Sequence, residues 1–97
     1  MIPNEEHCPE HIRASLNEYV LRGRPLGGFL TAVMENDLVG AIALADGVNL
    51  NLLPHIAAWV VKNVPTNVYG SPQAVAAHLR AKEKERAALW RSVPIPP

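Results

Sequence analysis

Two arginines and two glycines within one short turn are the residues of this chain best suited to binding a ligand. Arg22 and Arg24 flank Gly23, and Gly27 and Gly28 follow at the start of an apolar helical pattern. Guanidinium groups bind phosphate or carboxylate through two hydrogen bonds, and glycines at a helix N-terminus expose backbone N–H groups to the same anion. The same residues also make an ordinary turn, in which Gly23 ends one helix before the next begins. The pattern therefore predicts either an anion-binding loop or a plain turn.

Four further residues complete the candidate ligand set. Asn36 and Asp37 can contact a ribose or a base edge, although such side chains at helix ends usually cap helices. Tyr19 or Trp59 can stack on a base, and large residues of this kind also cover a small core or contact a partner. The candidate ligand-binding residues are thus Tyr19, Arg22, Arg24, Gly27, Gly28, Asn36, Asp37 and Trp59.

No residue pattern indicates catalysis. The single cysteine, Cys8, lies near the N-terminus, and no Ser-His-Asp or Cys-His pairing follows from the order of the residues. His7, Cys8 and His11 have a spacing that can form half of a metal site, but structural zinc needs a second half. We interpret them as part of a flexible N-terminal segment. The prediction is a protein that is not an enzyme and that carries no metal and no cofactor.

Composition narrows the class of partner. Nine basic residues balance nine acidic ones, whereas binding to nucleic acid through its phosphates normally leaves a basic excess. No apolar stretch approaches the ~20 residues that cross a bilayer, and the acidic N-terminus lacks the apolar region of a signal peptide. One cysteine fits a reducing compartment. We expect a cytoplasmic protein that binds neither nucleic acid nor a membrane, and whose modest core favours a homo-oligomer.

Residues that start and stop helices predict an all-α fold, a compact bundle of four or five short helices. Pro9 and Glu10 suit the first turn of a helix, and Gly23 suits its end. Asn36 and Asp37 indicate a break, because Asn tolerates the left-handed conformation and Asp caps a following helix. The small residues Gly40, Ala41, Ala43 and Ala45 of the third helix would allow close approach of a neighbour.

Pro54 sets the expected start of the fourth helix. Proline is tolerated in a first helical turn, where its missing N–H is unpaired in any case. The fourth helix is therefore predicted to start at residues 51–53. A wide apolar stripe follows and indicates a central core helix, with members Leu53, Ile56, Ala57, Val60, Val61 and Val64.

The 97 residues are predicted to form a single helical domain with two parts. Residues 9–80 make the core, and residues 81–97 make a charged helical arm and a proline-rich tail. Ser71 and Pro72 are an N-cap and a first-turn proline, and open a last helix that reaches about Trp90. Because Trp90 follows the charged arm, we interpret it as an assembly contact.

The region from about residue 12 to residue 80 resembles a family of small, largely uncharacterised proteins of tailed phages and prophages. The resemblance rests on the motif G-x-P-x-G-G-F-L-x-A-V-x-x-N-D-L, which runs from Gly23 to Leu38. It implies an accessory protein that works in the cytoplasm of an infected bacterium, and it carries no assigned reaction.

Two functional hypotheses follow from the arginine loop and this resemblance. The first is a non-enzymatic anti-defence protein that sequesters a phosphorylated nucleotide signal, held by Arg22, Arg24 and the glycine amides between subunits. The alternative is a helical protein–protein interaction module, an inhibitor or assembly factor acting on a host or phage protein. In that case the third helix and the tryptophans would form the interface.

Overall fold

The protein folds as an all-α bundle, which confirms the predicted fold class. The structure, a computed structural model, describes the backbone of residues 3–92 and the side chains of residues 3–89. Within that part of the chain there are five α-helices, two short 3-10 turns and no strand. The elements, in chain order, are a turn at Glu5–His7, α1 (Glu10–Arg22), α2 (Gly28–Met34), α3 (Leu38–Leu44), α4 (Gly47–Asn63), a turn at Thr66–Val68 and α5 (Pro72–Ser92).

Helix α1 begins and ends at its predicted residues. Pro9 precedes the first turn with an extended backbone, and Gly23 ends the helix in the left-handed conformation with φ of 67°. The Gly23 N–H donates to the Tyr19 carbonyl at 2.9 Å, which satisfies one of the last carbonyl groups of the helix. Leu16 and Tyr19 on the inner face are fully buried.

Three residues, 35–37, join α2 and α3, with the break at Asn36 and Asp37 that the sequence predicts. Asn36 adopts a left-handed backbone with φ of 62°, and the Asp37 Oδ1 accepts the Gly40 N–H at 2.9 Å. Asp37 is therefore the N-cap of α3. Helix α2 contributes Ala32 and Met34 to the buried interior.

The predicted start of the fourth helix is wrong, because α4 begins four residues before residue 51. The Asp46 Oδ1 accepts the Asn49 N–H at 2.7 Å and caps a helix that starts at Gly47. Pro54 consequently lies inside α4, where its ring cannot donate a hydrogen bond to the Leu50 carbonyl. The capping of Asp46 and the packing of the inner face outweigh that loss.

The inner face of α4 is narrower than the predicted stripe. Ile56, Val60 and Val64 are buried, in agreement with the sequence. In contrast, Val61 is 68% exposed and Ala57 is also exposed, because both lie about a quarter turn around the helix from the core face. The wide apolar stripe therefore belongs partly to the core and partly to the surface.

The N-terminal segment packs against α4, and the expectation that it is flexible is wrong for the residues described. The Asn4 N–H donates to Nδ1 of the buried His55 at 2.9 Å. Glu5 lies 3.4 Å from the Lys62 ammonium group. Cys8 is fully buried in the core. Burial raises the pKa of the Cys8 thiol, and the charge of Arg13 partly offsets this effect.

Helix α5 closes the bundle against the C-terminal end of α1. The Ser71 Oγ accepts the Ala74 N–H at 3.0 Å, so the predicted N-cap is confirmed. Lys82 and Glu85 of this helix form an ion pair at 3.1 Å. The Arg86 guanidinium donates to the Arg22 carbonyl at 2.8 Å and so contacts the end of α1. The Trp90 side chain and the proline-rich tail from residue 93 onward lie outside the described residues.

Candidate interaction surface

The arginine loop is an exposed turn in which a carboxylate accompanies the two guanidinium groups. The side chains of Arg22 and Arg24 are both 70% exposed, and their Nε atoms lie 3.7 and 4.0 Å from the Glu18 Oε2. The carboxylate therefore offsets part of the positive charge that an anion would meet.

Arg24 and Gly27 line one shallow cleft of about 230 Å³ between α1 and the loop. The sequence predicted that these two residues share a site, and the structure does bring them together. Glu18 also lines the cleft, so a bound anion would face a carboxylate at close range. Gly27 has the extended backbone of a residue preceding a helix, with φ of −66°. Its conformation does not require glycine.

Asn36 and Asp37 lie at the opposite end of α2 from the arginine loop. Helix α2 has seven residues, which separates its two ends by about 10 Å. Asn36 supplies the left-handed turn and Asp37 the cap of α3. Within one chain these two residues therefore do not share the cleft of Arg24.

Tyr19 is a core residue and is not accessible for stacking on a ligand. Its side chain is fully buried, and its hydroxyl donates to the Val68 carbonyl at 2.8 Å. The ring lies 4.7 Å from that of His78, whose Nε2 is 2.7 Å from the Tyr19 carbonyl oxygen. Burial, and to a smaller extent the charge of Glu35, raises the pKa of Tyr19 to about 12.

Trp59 is half-buried on a different side of the molecule. It lines a depression between α1 and α4 together with Arg13 and Asn17. The eight predicted ligand residues therefore occupy separate places, namely the loop, the α2–α3 turn, the core and this depression. One chain does not assemble them around a common centre.

Helix α3 presents apolar side chains to solvent. Its seven residues, Leu-Val-Gly-Ala-Ile-Ala-Leu, include no polar side chain. Ala41 alone among them is buried, whereas Val39 is 79% and Leu38 63% exposed. Ile42 is exposed one turn after Leu38 on the same face. A helix whose outer face contacts only water usually carries polar residues there. The exposed face of α3 is apolar instead.

Helix α4 continues this apolar character on its outer face. Leu50, Pro54, Ala57 and Val61 are all exposed. They follow one another at spacings of four, three and four residues, which places them in one stripe along the helix.

Two depressions join the exposed faces of α3 and α4 into a continuous surface. The first, of about 280 Å³, is lined by Leu38 and Ala41 of α3 and by Pro54 and Ala57 of α4. The second, of about 360 Å³, is lined by Pro54, Ala57 and Val61 of α4 and is bordered by Pro3 and Lys62. Because Pro54 and Ala57 belong to both, the apolar area is unbroken. We call it the α3–α4 surface, with members Leu38, Val39, Ile42, Leu50, Pro54, Ala57 and Val61.

The sequence interpretation assigned part of this surface to the core. A signal that could have found it is the stripe of Leu50, Pro54, Ala57 and Val61, which runs beside the core stripe of Ile56 and Val60. When a helix has apolar residues on two faces, the core of the chain buries one face and leaves the other exposed.

Two negative findings apply to the described part of the chain. No helix in it is both long enough and apolar enough to span a membrane. No three of its histidine, cysteine, aspartate and glutamate side chains group closely enough to hold a metal ion.

Comparison of the chain with models of protein families, with curated proteins and with solved structures found no match. The resemblance to proteins of tailed phages and prophages therefore stays a prediction from the motif between Gly23 and Leu38.

Proposed function

We propose that this chain is a non-enzymatic helical interaction module that binds another protein chain through the α3–α4 surface. The observation that carries the proposal is the exposure of an entirely apolar α3 beside the apolar outer stripe of α4. Contiguous exposed apolar surface of this kind marks interaction sites in soluble proteins. The partner is a protein chain, and an inhibitor and an assembly factor are two roles that fit.

Covering this surface supplies a large part of the free energy that specific binding needs. Five of its side chains are large, and burying a Leu, Ile or Val completely contributes roughly 1.5–3 kcal/mol. At the observed exposures the five contribute on the order of 5–9 kcal/mol in total. Association costs about 4–15 kcal/mol, so polar contacts at the rim complete the affinity. Asn36 and Asp37 line that rim.

The test uses two substitutions that differ only in their position relative to the surface. Val61 and Leu21 are 68% and 70% exposed and lie in the last turns of α4 and α1. Val61→Glu introduces a charge within the surface, and Leu21→Glu introduces the same charge outside it. Both variants should retain the helical circular dichroism of the wild type, since neither side chain is in the core.

Proteins bound to the tagged chain are identified in host-cell and infected-cell extracts, purified, and titrated against the wild type and both variants. We expect Val61→Glu to weaken binding of the purified partner at least about tenfold and Leu21→Glu to leave it unchanged. Equal binding of wild type and Val61→Glu by every partner would contradict the proposal.

A second candidate function is the sequestration of a phosphorylated nucleotide at the arginine loop. The observation in its favour is that Arg24 and Gly27 line the same cleft. Thermal shifts with cyclic and linear nucleotides test it, because a ligand that binds the folded state raises the unfolding temperature. The shift should disappear in Arg24→Ala and persist in Arg80→Ala, which removes an exposed arginine of α5. A shift that persists in Arg24→Ala would reject this site.

A further inference from the structure

The apolar stripe of α4 has a spacing that is the same in both directions. Leu50, Pro54, Ala57 and Val61 are separated by four, three and four residues, the spacing of the seam in a coiled coil. The midpoint of the outer pair coincides with the midpoint of the inner pair. If a second copy of α4 runs antiparallel, Leu50 therefore lies opposite Val61 at each end of the contact. Pro54 lies opposite Ala57 on each side of its centre.

We infer that the partner of the α3–α4 surface is a second copy of this chain, paired about a two-fold axis that passes between Pro54 and Ala57. This inference rests on the proposed function and names the partner. A two-fold interface requires a surface that complements itself, and the symmetric spacing provides one. The small inner residues let the two helix axes approach closely, and the larger outer residues fill the space at each end.

The charges of α4 favour the antiparallel arrangement. Asp46 caps the N-terminal end of the helix and Lys62 lies at its C-terminal end, and the segment between them carries no other carboxylate, lysine or arginine; His55 within it is buried. In the antiparallel pair Lys62, which also contacts Glu5 of its own chain at 3.4 Å, lies within about one turn of the partner's Asp46. A parallel pair would instead place the two Lys62 side chains together and the two helix dipoles side by side in the unfavourable sense.

Helix α3 widens the contact beyond a single pair of helices. Because Leu38 and Ala41 line the same depression as Pro54 and Ala57, a helix seated on the α4 stripe also contacts α3. The 17 residues of α4 span about 25 Å at 1.5 Å per residue. A contact of this length with a flanking helix buries several hundred Å² per copy, at the small end of stable interfaces, so we expect a dissociation constant in the micromolar range.

The first experiment measures the mass of the full chain by sedimentation velocity across the micromolar range. The wild type and Leu21→Glu should convert from monomer to dimer as concentration rises. Val61→Glu should raise the dissociation constant at least about tenfold, because each dimer contains that position twice. A wild type that stays monomeric throughout, or a dimer that Val61→Glu leaves intact, would overturn the inference.

The second experiment reads the direction of the helices by disulfide cross-linking. The double variant with Leu50→Cys and Val61→Cys should form a covalent dimer through a 50–61 linkage, identified by peptide mass spectrometry. Val61→Cys alone should remain uncrosslinked, because the two copies of residue 61 are about 16 Å apart along the antiparallel pair. A 61–61 linkage would reject a two-fold axis between Pro54 and Ala57. The native Cys8 is buried and serves as an internal unreactive thiol.

The two proposals fail separately. A monomeric wild type that binds a different protein, with binding lost in Val61→Glu, overturns the second copy as partner and supports the interaction module. A chain that is monomeric and whose partners bind Val61→Glu as well as wild type overturns both.

Discussion

Gly23 at the end of α1 lies directly against Lys82 in the middle of α5. The two helices meet at this point because residue 23 has no side chain. A Cβ built on Gly23 would collide with the Cβ of Lys82 and come within 2.8 Å of its Cγ. The Gly23 backbone is also left-handed, with φ of 67°. Gly23 therefore joins two helices within the fold, which is a structural explanation for the first glycine of the loop.

Gly23→Ala should lower the free energy of unfolding by about 2 kcal/mol or more, because a left-handed residue costs a side chain roughly 1–2 kcal/mol and the collision with Lys82 adds to it. Urea denaturation measures the change. Gly27→Ala is the matched control, since a Cβ there has no neighbour within 4 Å. It should cost at most about 1 kcal/mol, because Gly27 is the N-cap of α2 and alanine is only a poorer cap than glycine. Equal losses in the two variants would contradict this account.

Tyr19→Phe should destabilise the protein by about 1–2 kcal/mol at neutral pH. The substitution removes the buried hydrogen bond from the Tyr19 hydroxyl to the Val68 carbonyl and leaves that carbonyl without this donor. Denaturation of the variant measures the loss. The ring still packs near His78, so the circular dichroism of the folded state should not change.

The pH dependence of stability should differ between the wild type and Tyr19→Phe. Because burial raises the pKa of Tyr19 to about 12, the folded state holds its phenolic proton more tightly than the unfolded state, whose value is about 10. The stabilisation is fully present below pH ~10 and is lost as pH rises towards ~12. Burial likewise raises the pKa of the Cys8 thiol, so its contribution to stability is also lost as pH rises, beginning at a lower pH than that of Tyr19. Between these pH values the free energy of unfolding, measured by denaturation at each pH, should fall more steeply for the wild type than for Tyr19→Phe. Parallel pH dependences in the two proteins would show that Tyr19 is not the group responsible.

Asp46→Ala should cost about 1 kcal/mol, the usual loss when an N-cap is removed. The expectation follows from the hydrogen bond between the Asp46 carboxylate and the Asn49 N–H. Asn51→Ala serves as the control, because Asn51 is an exposed residue inside α4. If the helix instead began near residue 51, the ranking of the two losses would be reversed.

Signals that act within a few residues predicted the fold correctly. Gly23 and Asn36 adopt left-handed conformations, and the side chains of Asp37 and Ser71 cap helices. Each of these features depends on residues at most three or four positions away in the sequence. Such geometry is encoded locally. These signals were sufficient to predict four or five helices and most of their boundaries.

Features that depend on tertiary packing were not predictable in the same way. Proline propensity alone placed the start of α4 too late, because it takes no account of the core contacts of Ile56 and Val60. The pattern of Tyr19 is compatible with either a core or a binding residue, and only its partners Val68 and His78 decide between them. The sequence likewise did not decide which apolar residues of α3 are exposed, because that depends on how the helix packs against the rest of the fold.

His55→Phe should open the N-terminal segment and expose Cys8. The Nδ1 of His55 accepts the Asn4 N–H, and the adjacent His7 ring lies edge-on to the His55 ring at 5.0 Å. Phenylalanine, which is somewhat larger than histidine, fills the buried site but provides no acceptor, so the N-terminal segment next to Cys8 loses this hydrogen bond to α4 and opens more often. The rate at which a thiol reagent labels Cys8 in the native protein should therefore rise several-fold. His11→Phe changes an exposed histidine of α1 and should leave the rate at the wild-type value. If the two variants label equally fast, the segment is held by its other contacts, such as the one between Glu5 and Lys62.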